Sequence, residues 1–207
     1  MPAHFQDRLR RALNARKPRR VSLADARDAA VLIPVVGSPA PTLIFTVRTE
    51  TLPSHKGQIS FPGGSIDPDE GAVQAALRET HEEIGIDPGV VEVLGELHSM
   101  PTFVSGYVIA PVVGWLDEMP ALVPNAAEVA EVLTVPIADL VEDIRAQPGF
   151  IHRGQTYPTE AWLWHDHVIW GVTARLLRTF LVLLARAGLA EAPGPAPQWP
   201  SEVGLQP

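Results

Sequence analysis

Apolar positions along the chain follow two different periods, which predicts a mixture of strands and helices. Short aliphatic runs at 29–36 and 42–48 flank the turn residues Gly-Ser-Pro-Ala-Pro at 37–41. This arrangement predicts two neighbouring strands joined by a turn. Two further apolar segments, at 90–100 and 107–116, are predicted to be strands of the same sheet.

The last third of the chain is predicted to contain a hairpin, a helix and a tail. Aromatic and polar residues alternate from 150 to 165 around Arg153-Gly154-Gln155, which indicates a hairpin. Residues 169–175 lead into an apolar helix that is expected to reach about Ala187. The proline-rich segment 193–207 is expected to be an irregular tail.

The first twenty residues are strongly basic, with Arg8, Arg10, Arg11, Arg16, Lys17, Arg19 and Arg20. Phe5, Leu9 and Leu13 recur at the spacing of one face of a short helix. We interpret this segment as a solvated helix and linker. The alternative is an arm that reaches the phosphates of a ligand or a partner subunit.

Residues 64–86 have the pattern of an amphipathic helix with one apolar face. That face is formed by Val73, Ala76, Leu77 and Ile84. Asp67-Pro68-Asp69-Glu70 is expected to start the helix, because proline and acidic residues favour the first turn. Gly85 is expected to end it.

The other face of this predicted helix carries Glu79, Glu82 and Glu83 next to Arg78. Residues three and four apart lie on the same side of a helix, so the three carboxylates are predicted to converge. Oxygen ligands of this kind suit a hard divalent cation such as Mg²⁺ or Mn²⁺. For this short charged motif taken alone, an exposed glutamate-rich helix face is the simpler interpretation.

The spacing over the whole segment favours the metal site. Gly64, Glu70, Arg78-Glu79, Glu82-Glu83 and Gly85-Ile86 stand at the intervals of the Nudix box, which this segment resembles. Thr80 departs from the pattern, because the family usually has an aliphatic residue there.

The resemblance implies an α/β fold, the Nudix α/β/α sandwich with a mixed β-sheet between helices, over about residues 29–187. It also implies metal-dependent hydrolysis of a nucleoside diphosphate linked to another group. By motif position, Glu79, Glu82 and Glu83 correspond to the carboxylates that bind metal and activate water. Arg78 would orient a carboxylate, and Gly63 or Gly64 would offer a backbone carbonyl to the metal.

The segment 43–64 resembles the signature of the coenzyme A pyrophosphatase subfamily, with Thr46, Arg48, Gly57 and Phe61-Pro62-Gly63-Gly64 in the expected places. Pro53 stands where the subfamily pattern has a second arginine, and Thr49 replaces a small residue. The resemblance implies hydrolysis of coenzyme A or a derivative to 3′,5′-ADP and a 4′-phosphopantetheine product.

Four residues are candidates to bind this substrate. Arg48, His55 and Lys56 can meet phosphates, and Phe103 offers a flat surface to a base or an alkyl amide chain. A polar loop and a core aromatic are the alternative interpretations.

Residues 125–136 have the propensity of a helix but resemble the family segment in which a strand precedes a short helix, here predicted at 137–146. Nudix enzymes often add a carboxylate from outside the box, and Glu128 is the candidate for that role. A surface glutamate would have the same sequence pattern.

Composition narrows the class of protein. The chain has 207 residues, a net charge of −8 and no cysteine. The negative charge disfavours nucleic-acid binding, and the missing cysteine excludes disulfides and thiolate zinc sites. No apolar run is long enough for a membrane span and no signal peptide is evident, so we expect a cytoplasmic protein. We divide the chain into a basic N-terminal arm or helix at 1–28, a catalytic domain at 29–187 and a tail at 188–207. A homodimer is plausible.

Two other functions are compatible with the motifs. A Nudix pyrophosphatase with another small-molecule substrate, such as ADP-ribose, a dinucleoside polyphosphate or a damaged nucleoside triphosphate, would need the same box. A non-catalytic Nudix module that only binds a nucleotide would be expected to lose a metal carboxylate, but Glu79, Glu82 and Glu83 are all present.

Overall fold

The computed structural model describes residues 2–49, 57–102, 106–140, 144–152 and 155–194. Its helices are α1 (Pro2–Asn14), α2 (Ala72–Ile84) and α3 (Gly171–Arg186). Its strands are β1 (Arg27–Val36), β2 (Thr42–Arg48), β3 (Ile59–Ser60), β4 (Gly63–Ser65), β5 (Glu92–Glu96), β6 (Met100–Pro101), β7 (Tyr107–Leu116), β8 (Val129–Pro136), β9 (Ile144–His152), β10 (Gln155–Trp164) and β11 (His167–Trp170). Among these helices, none is long and apolar enough to cross a bilayer.

In the described part of the chain, eight strands form one mixed sheet and three form a separate antiparallel sheet. The main sheet has the order β3-β2-β1-β7-β5, with β4 paired to β1, β6 to β7 and β8 to β2. Strands β1 and β7 run parallel over their whole lengths. The predicted strands at 29–36, 42–48 and 107–116 are confirmed, and the segment 90–100 contains β5 and the first residue of β6.

The predicted strand before residue 137 is present as β8, and a helix does begin at Ile137, but the predicted extension of that helix to residue 146 is wrong. A short 3-10 helix ends at Leu140, and β9 begins at Ile144. Strand β9 pairs with β10 in the predicted hairpin, where His152 faces Gln155. This pairing satisfies backbone groups that a helix would otherwise use, so tertiary context overrides local propensity.

Helices pack on both faces of the main sheet, as the predicted α/β sandwich requires. Helix α2 covers one face through Ala75 and Ala76, which are fully buried beside Ala30 and Leu32. The opposite face is covered by α3 and α1, and its core includes Leu9, Leu13, Phe45, Trp115, Leu177 and Phe180.

The N-terminal segment does form a helix, but this helix is not solvated on all sides as the sequence suggested. Leu9 is 0% exposed and Leu13 4% exposed, and both belong to the core beneath α3. The basic side chains lie at the edge of this contact, where Arg10 pairs with Glu92 at 2.6 Å. Helix α1 therefore completes the core on the face opposite α2.

Helix α2 starts later than predicted. It begins at Ala72, after an N-cap at Gly71, whose N–H donates to Gln74 Oε1 at 2.8 Å. The segment from Asp67 to Glu70 is a turn before the helix, closed by the Asp67 N–H donating to Glu70 Oε1 at 3.0 Å. The predicted end is confirmed, because Gly85 is a left-handed C-cap with φ of 75°.

Candidate active site

Arg78 is the centre of a charged network on the exposed side of α2. Its guanidinium donates to both oxygens of Glu70, at 2.6 and 3.2 Å. It also donates to Glu79 at 2.8 Å, to Glu82 at 3.3 Å and to the backbone carbonyl of Ser65 at 3.1 Å. These bonds lower the pKa of Glu70 and raise that of Arg78. Arg78 thus fixes the box carboxylates relative to the turn before the helix.

Glu83 lies deeper than the other box carboxylates. It is 4% exposed and accepts the Gly63 N–H at 3.2 Å. Burial, together with the nearby charges of Glu79 and Glu128, raises the pKa of Glu83 to about 7. The Gly63 hydrogen bond and the charge of Arg48 oppose that shift without cancelling it. A cation bound next to Glu83 would therefore stabilise the charged form of this buried carboxylate.

Glu79 occupies space that only a glycine at position 64 leaves open. A Cβ built on Gly64 would lie 2.4 Å from the carboxyl carbon of Glu79. Burial raises the pKa of Glu79, Arg78 lowers it, and the charges of Glu82 and Glu128 raise it. A larger residue at position 64 would therefore displace the Glu79 carboxylate from this place.

Glu128 reaches the same region from the loop before β8. Its carbonyl accepts the Thr49 N–H at 3.0 Å, which ties the loop to the end of β2. Its charge acts on both Glu79 and Glu83. The structure therefore brings this predicted residue to the box carboxylates, although it is distant in sequence.

Arg48 is the last residue of β2. Its N–H donates to Gln58 at 3.0 Å and its carbonyl accepts the Gly57 N–H at 3.1 Å. Among the described residues, the buried Arg48 Nε has no hydrogen-bond partner. An orphaned guanidinium nitrogen beside the carboxylates is a suitable donor for an anionic ligand. The predicted substrate residues His55, Lys56 and Phe103 lie outside the described residues.

The three box carboxylates do not converge as the sequence predicted. Arg78 holds Glu79 and Glu82, whereas Glu83 turns towards Gly63. Within the described residues, no group of three or more His, Asp or Glu side chains is already arranged as a metal site. The donors nevertheless fit a hard divalent ion, because all are carboxylates and two have pKa values raised by burial.

A sequence profile of the NUDIX domain matches residues 26–154, more than half of the chain. The chain belongs to the Nudix family. Uncharacterized Nudix hydrolase NudL of Photorhabdus laumondii subsp. laumondii is 39% identical over 162 residues, which cover 77% of this chain and 86% of that protein. The NudL of Cronobacter sakazakii is 40% identical over 160 residues, or 76% of this chain and 82% of that protein.

A solved structure also shares the fold. The MutT/nudix family protein from Enterococcus faecalis superposes with a TM-score of 0.55 at 14% identity, over 89% of this chain and 74% of that one. The protein is a Nudix hydrolase. Enzymes of this family act on small-molecule nucleotides and generally use divalent cations such as Mg²⁺ or Mn²⁺.

One residue at the Nudix site was missed from the sequence. Asn125 lies partly buried beside Glu128, and its N–H donates to the carbonyl of Glu83 at 2.8 Å. The only sequence signal was an asparagine two residues before Ala127, a spacing typical of a side-chain turn. That signal predicts a turn but not its position next to the catalytic helix.

Proposed function

We propose that this Nudix hydrolase cleaves the diphosphate of coenzyme A or a derivative, giving 3′,5′-ADP and 4′-phosphopantetheine or its acylated form. The observation that carries the proposal is the position of Arg48. This residue belongs to the coenzyme A-like signature, and its charge acts on the buried Glu83 of the Nudix box. This electrostatic contact supports a single site made of the signature and the box, and among the described residues the buried Arg48 Nε has no hydrogen-bond partner.

Each side chain has a specific task in the proposed reaction. Glu79, Glu82 and Glu83 would hold Mg²⁺ or Mn²⁺, together with the carbonyl of Gly63. The bound ion would supply positive charge against the diphosphate and lower the pKa of a bound water. Arg78 keeps the carboxylates oriented, since it bonds Glu79 and Glu82 directly.

The chemical step is attack of water on one phosphorus atom of the diphosphate. A P–O bond forms to the water oxygen, the bridging P–O bond breaks, and the leaving phosphate departs with the bond electrons. Glu128 or Glu79 accepts the proton from the water. The charges of both carboxylates act on Glu83, which makes both of them candidates for this role.

Substrate binding is assigned to residues around the Arg48 hairpin. The Arg48 guanidinium would bind a phosphate oxygen, aided by His55 and Lys56 from the following segment. Phe103 would contact the adenine or the pantetheine amides. The homodimer and the cytoplasmic location predicted from the sequence stay predictions.

The substrate assignment is tested by product analysis. Purified protein is incubated with Mg²⁺ or Mn²⁺ and coenzyme A, acetyl-coenzyme A, ADP-ribose, NADH, a dinucleoside polyphosphate or nucleoside triphosphates, and the products are identified by mass spectrometry. We expect 3′,5′-ADP and phosphopantetheine at the highest kcat/KM. Faster cleavage of another diphosphate would overturn the coenzyme A proposal and leave the Nudix chemistry intact.

A pair of arginine variants tests the role of Arg48. Arg48→Gln is expected to raise KM for coenzyme A by about tenfold, because a charge-assisted phosphate contact is lost. Arg10→Gln is the matched control, since Arg10 lies on the opposite face of the sheet and pairs with Glu92. An unchanged KM in Arg48→Gln would remove Arg48 from the binding site.

A further inference from the structure

Asn125 connects the end of the catalytic helix to the loop that carries Glu128. Its backbone N–H donates to the carbonyl of Glu83 at 2.8 Å, in the last turn of α2. Its carbonyl accepts the N–H groups of Glu128 at 2.9 Å and Val129 at 2.8 Å. The backbone of this one residue therefore joins a box carboxylate residue to the outside carboxylate residue.

The Asn125 side chain has two separate contacts. Its Oδ1 accepts the Ala127 N–H at 3.1 Å, which closes a side-chain turn. Its Nδ2 donates to Glu128 Oε1 at 3.5 Å, a long hydrogen bond. The acceptor shapes the loop, whereas the donor touches the carboxylate itself, so the two tasks can be separated by substitution.

We propose that Asn125 is a positioning residue that holds the Glu128 carboxylate towards Glu79 and Glu83. Glu128 is flanked by like charges, which would drive an unrestrained carboxylate away from the site. The neutral amide of Asn125 can donate to Glu128 without adding charge. The turn that contains Asn125 is held in place by α2 and β2. The Thr49 hydroxyl adds to this support by donating to the Ala127 carbonyl at 3.3 Å.

This inference rests on the role proposed for Glu128. The Asn125→Asp substitution tests the positioning role of Asn125 separately, because it leaves the Glu128 side chain itself unchanged. Aspartate retains an acceptor for the Ala127 N–H and so keeps the turn. It has no N–H₂ to donate and places a negative charge beside Glu128. Asp87→Asn is the matched control, because Asp87 makes the same kind of turn with the Gly89 N–H at 2.8 Å outside the site.

The experiment compares wild type, Asn125→Asp, Glu128→Gln, the double variant and Asp87→Asn. It measures kcat, KM, melting temperature without metal and, without substrate, Mn²⁺ affinity by calorimetry. We expect Glu128→Gln to lower kcat about a hundredfold. Asn125→Asp should lower kcat about tenfold with KM and melting temperature near wild type, as outer contacts to active-site ligands do.

The double variant decides whether Asn125 acts through Glu128. We expect the kcat of the double variant to equal that of Glu128→Gln alone. We also expect the Mn²⁺ affinity either to change in the same direction in both single variants or to stay unchanged in both. The inference would be overturned if the two losses of kcat multiply in the double variant. It would also be overturned if Asn125→Asp keeps a wild-type kcat while Glu128→Gln has a lowered one. A wild-type kcat for Glu128→Gln would instead overturn the role of Glu128, and with it the need to position that residue.

Discussion

The two faces of the main sheet are packed by side chains of very different size. Along most of α2 the buried contacts come from Ala72, Ala75 and Ala76, with Ile84 packed at its end, whereas α3 contributes Leu177 and Phe180 to the larger core. Small side chains let a helix lie closer to its neighbour than large ones do. Close packing of α2 brings its glutamates to the glycines of β4, and the larger core on the other face contributes more buried apolar area to stability.

The prediction with the largest expected effect concerns a substitution on the α2 face that should lower activity but not stability. Glu82→Gln should lower kcat about a thousandfold, because it removes a carboxylate proposed to hold the metal. Its melting temperature should hardly change, since the Glu82 side chain is 56% exposed. Activity assays over a Mg²⁺ series and a thermal melt test both expectations, with the exposed Glu118→Gln as control. Full activity with unaltered Mg²⁺ dependence would show that Glu82 is not a ligand.

The converse result is expected on the α3 face. Leu177→Ala should cost about 3 kcal/mol of unfolding free energy, because Leu177 is fully buried and its truncation leaves a cavity. At temperatures where the variant is folded, kcat should stay within about twofold of wild type, since α3 supplies none of the proposed ligands. Denaturant unfolding gives the first quantity. Leu23→Ala, at a residue that is 48% exposed, is the control. A large loss of kcat would mean that the two faces are coupled.

The prediction with the smallest expected effect is that the buried Glu83 carboxylate destabilises the folded protein when no metal is bound. The pKa of Glu83 is raised on folding, so the stability that it contributes is present at low pH and is lost as pH rises towards about 7. Glu83→Gln should therefore be more stable than wild type at pH 8 in EDTA, by about 1 kcal/mol, or about 2–4 °C in melting temperature. The advantage should disappear near pH 4.

Melting curves at the two pH values provide the measurement, and Glu118→Gln should show no such gain. A Glu83→Gln variant that is no more stable than wild type at pH 8 would contradict the expected cost. The same variant should be inactive, which would place stability and function in opposition at one residue.

The sequence predicted those parts of the molecule in which local pattern and final environment agree. The end of α2 at Gly85 and the bounds of β2 and β7 follow from residue type and period alone. The box spacing also identified the glutamates of the candidate site before any geometry was known.

The remaining features depend on contacts between distant segments. An apolar stripe such as Leu9 and Leu13 has the same period whether the helix packs on a core or lies on the surface. The start of β9 is determined by pairing with β10 rather than by its own propensity. Asn125 could be found only when its neighbours on α2 and β8 were placed beside it.

The parallel pairing of β1 with β7 has a consequence for the order of events during synthesis. Register partners such as Ala29 and Ile109 are far apart in the chain, and α2 is encoded between them. The closing of so long a loop costs entropy before it gains contacts. A nascent chain that has not yet emerged through β7 lacks one of the strands on which α2 packs. The alanine face would stay partly uncovered on the ribosome until that strand arrives, so chaperone capture is most expected during this interval.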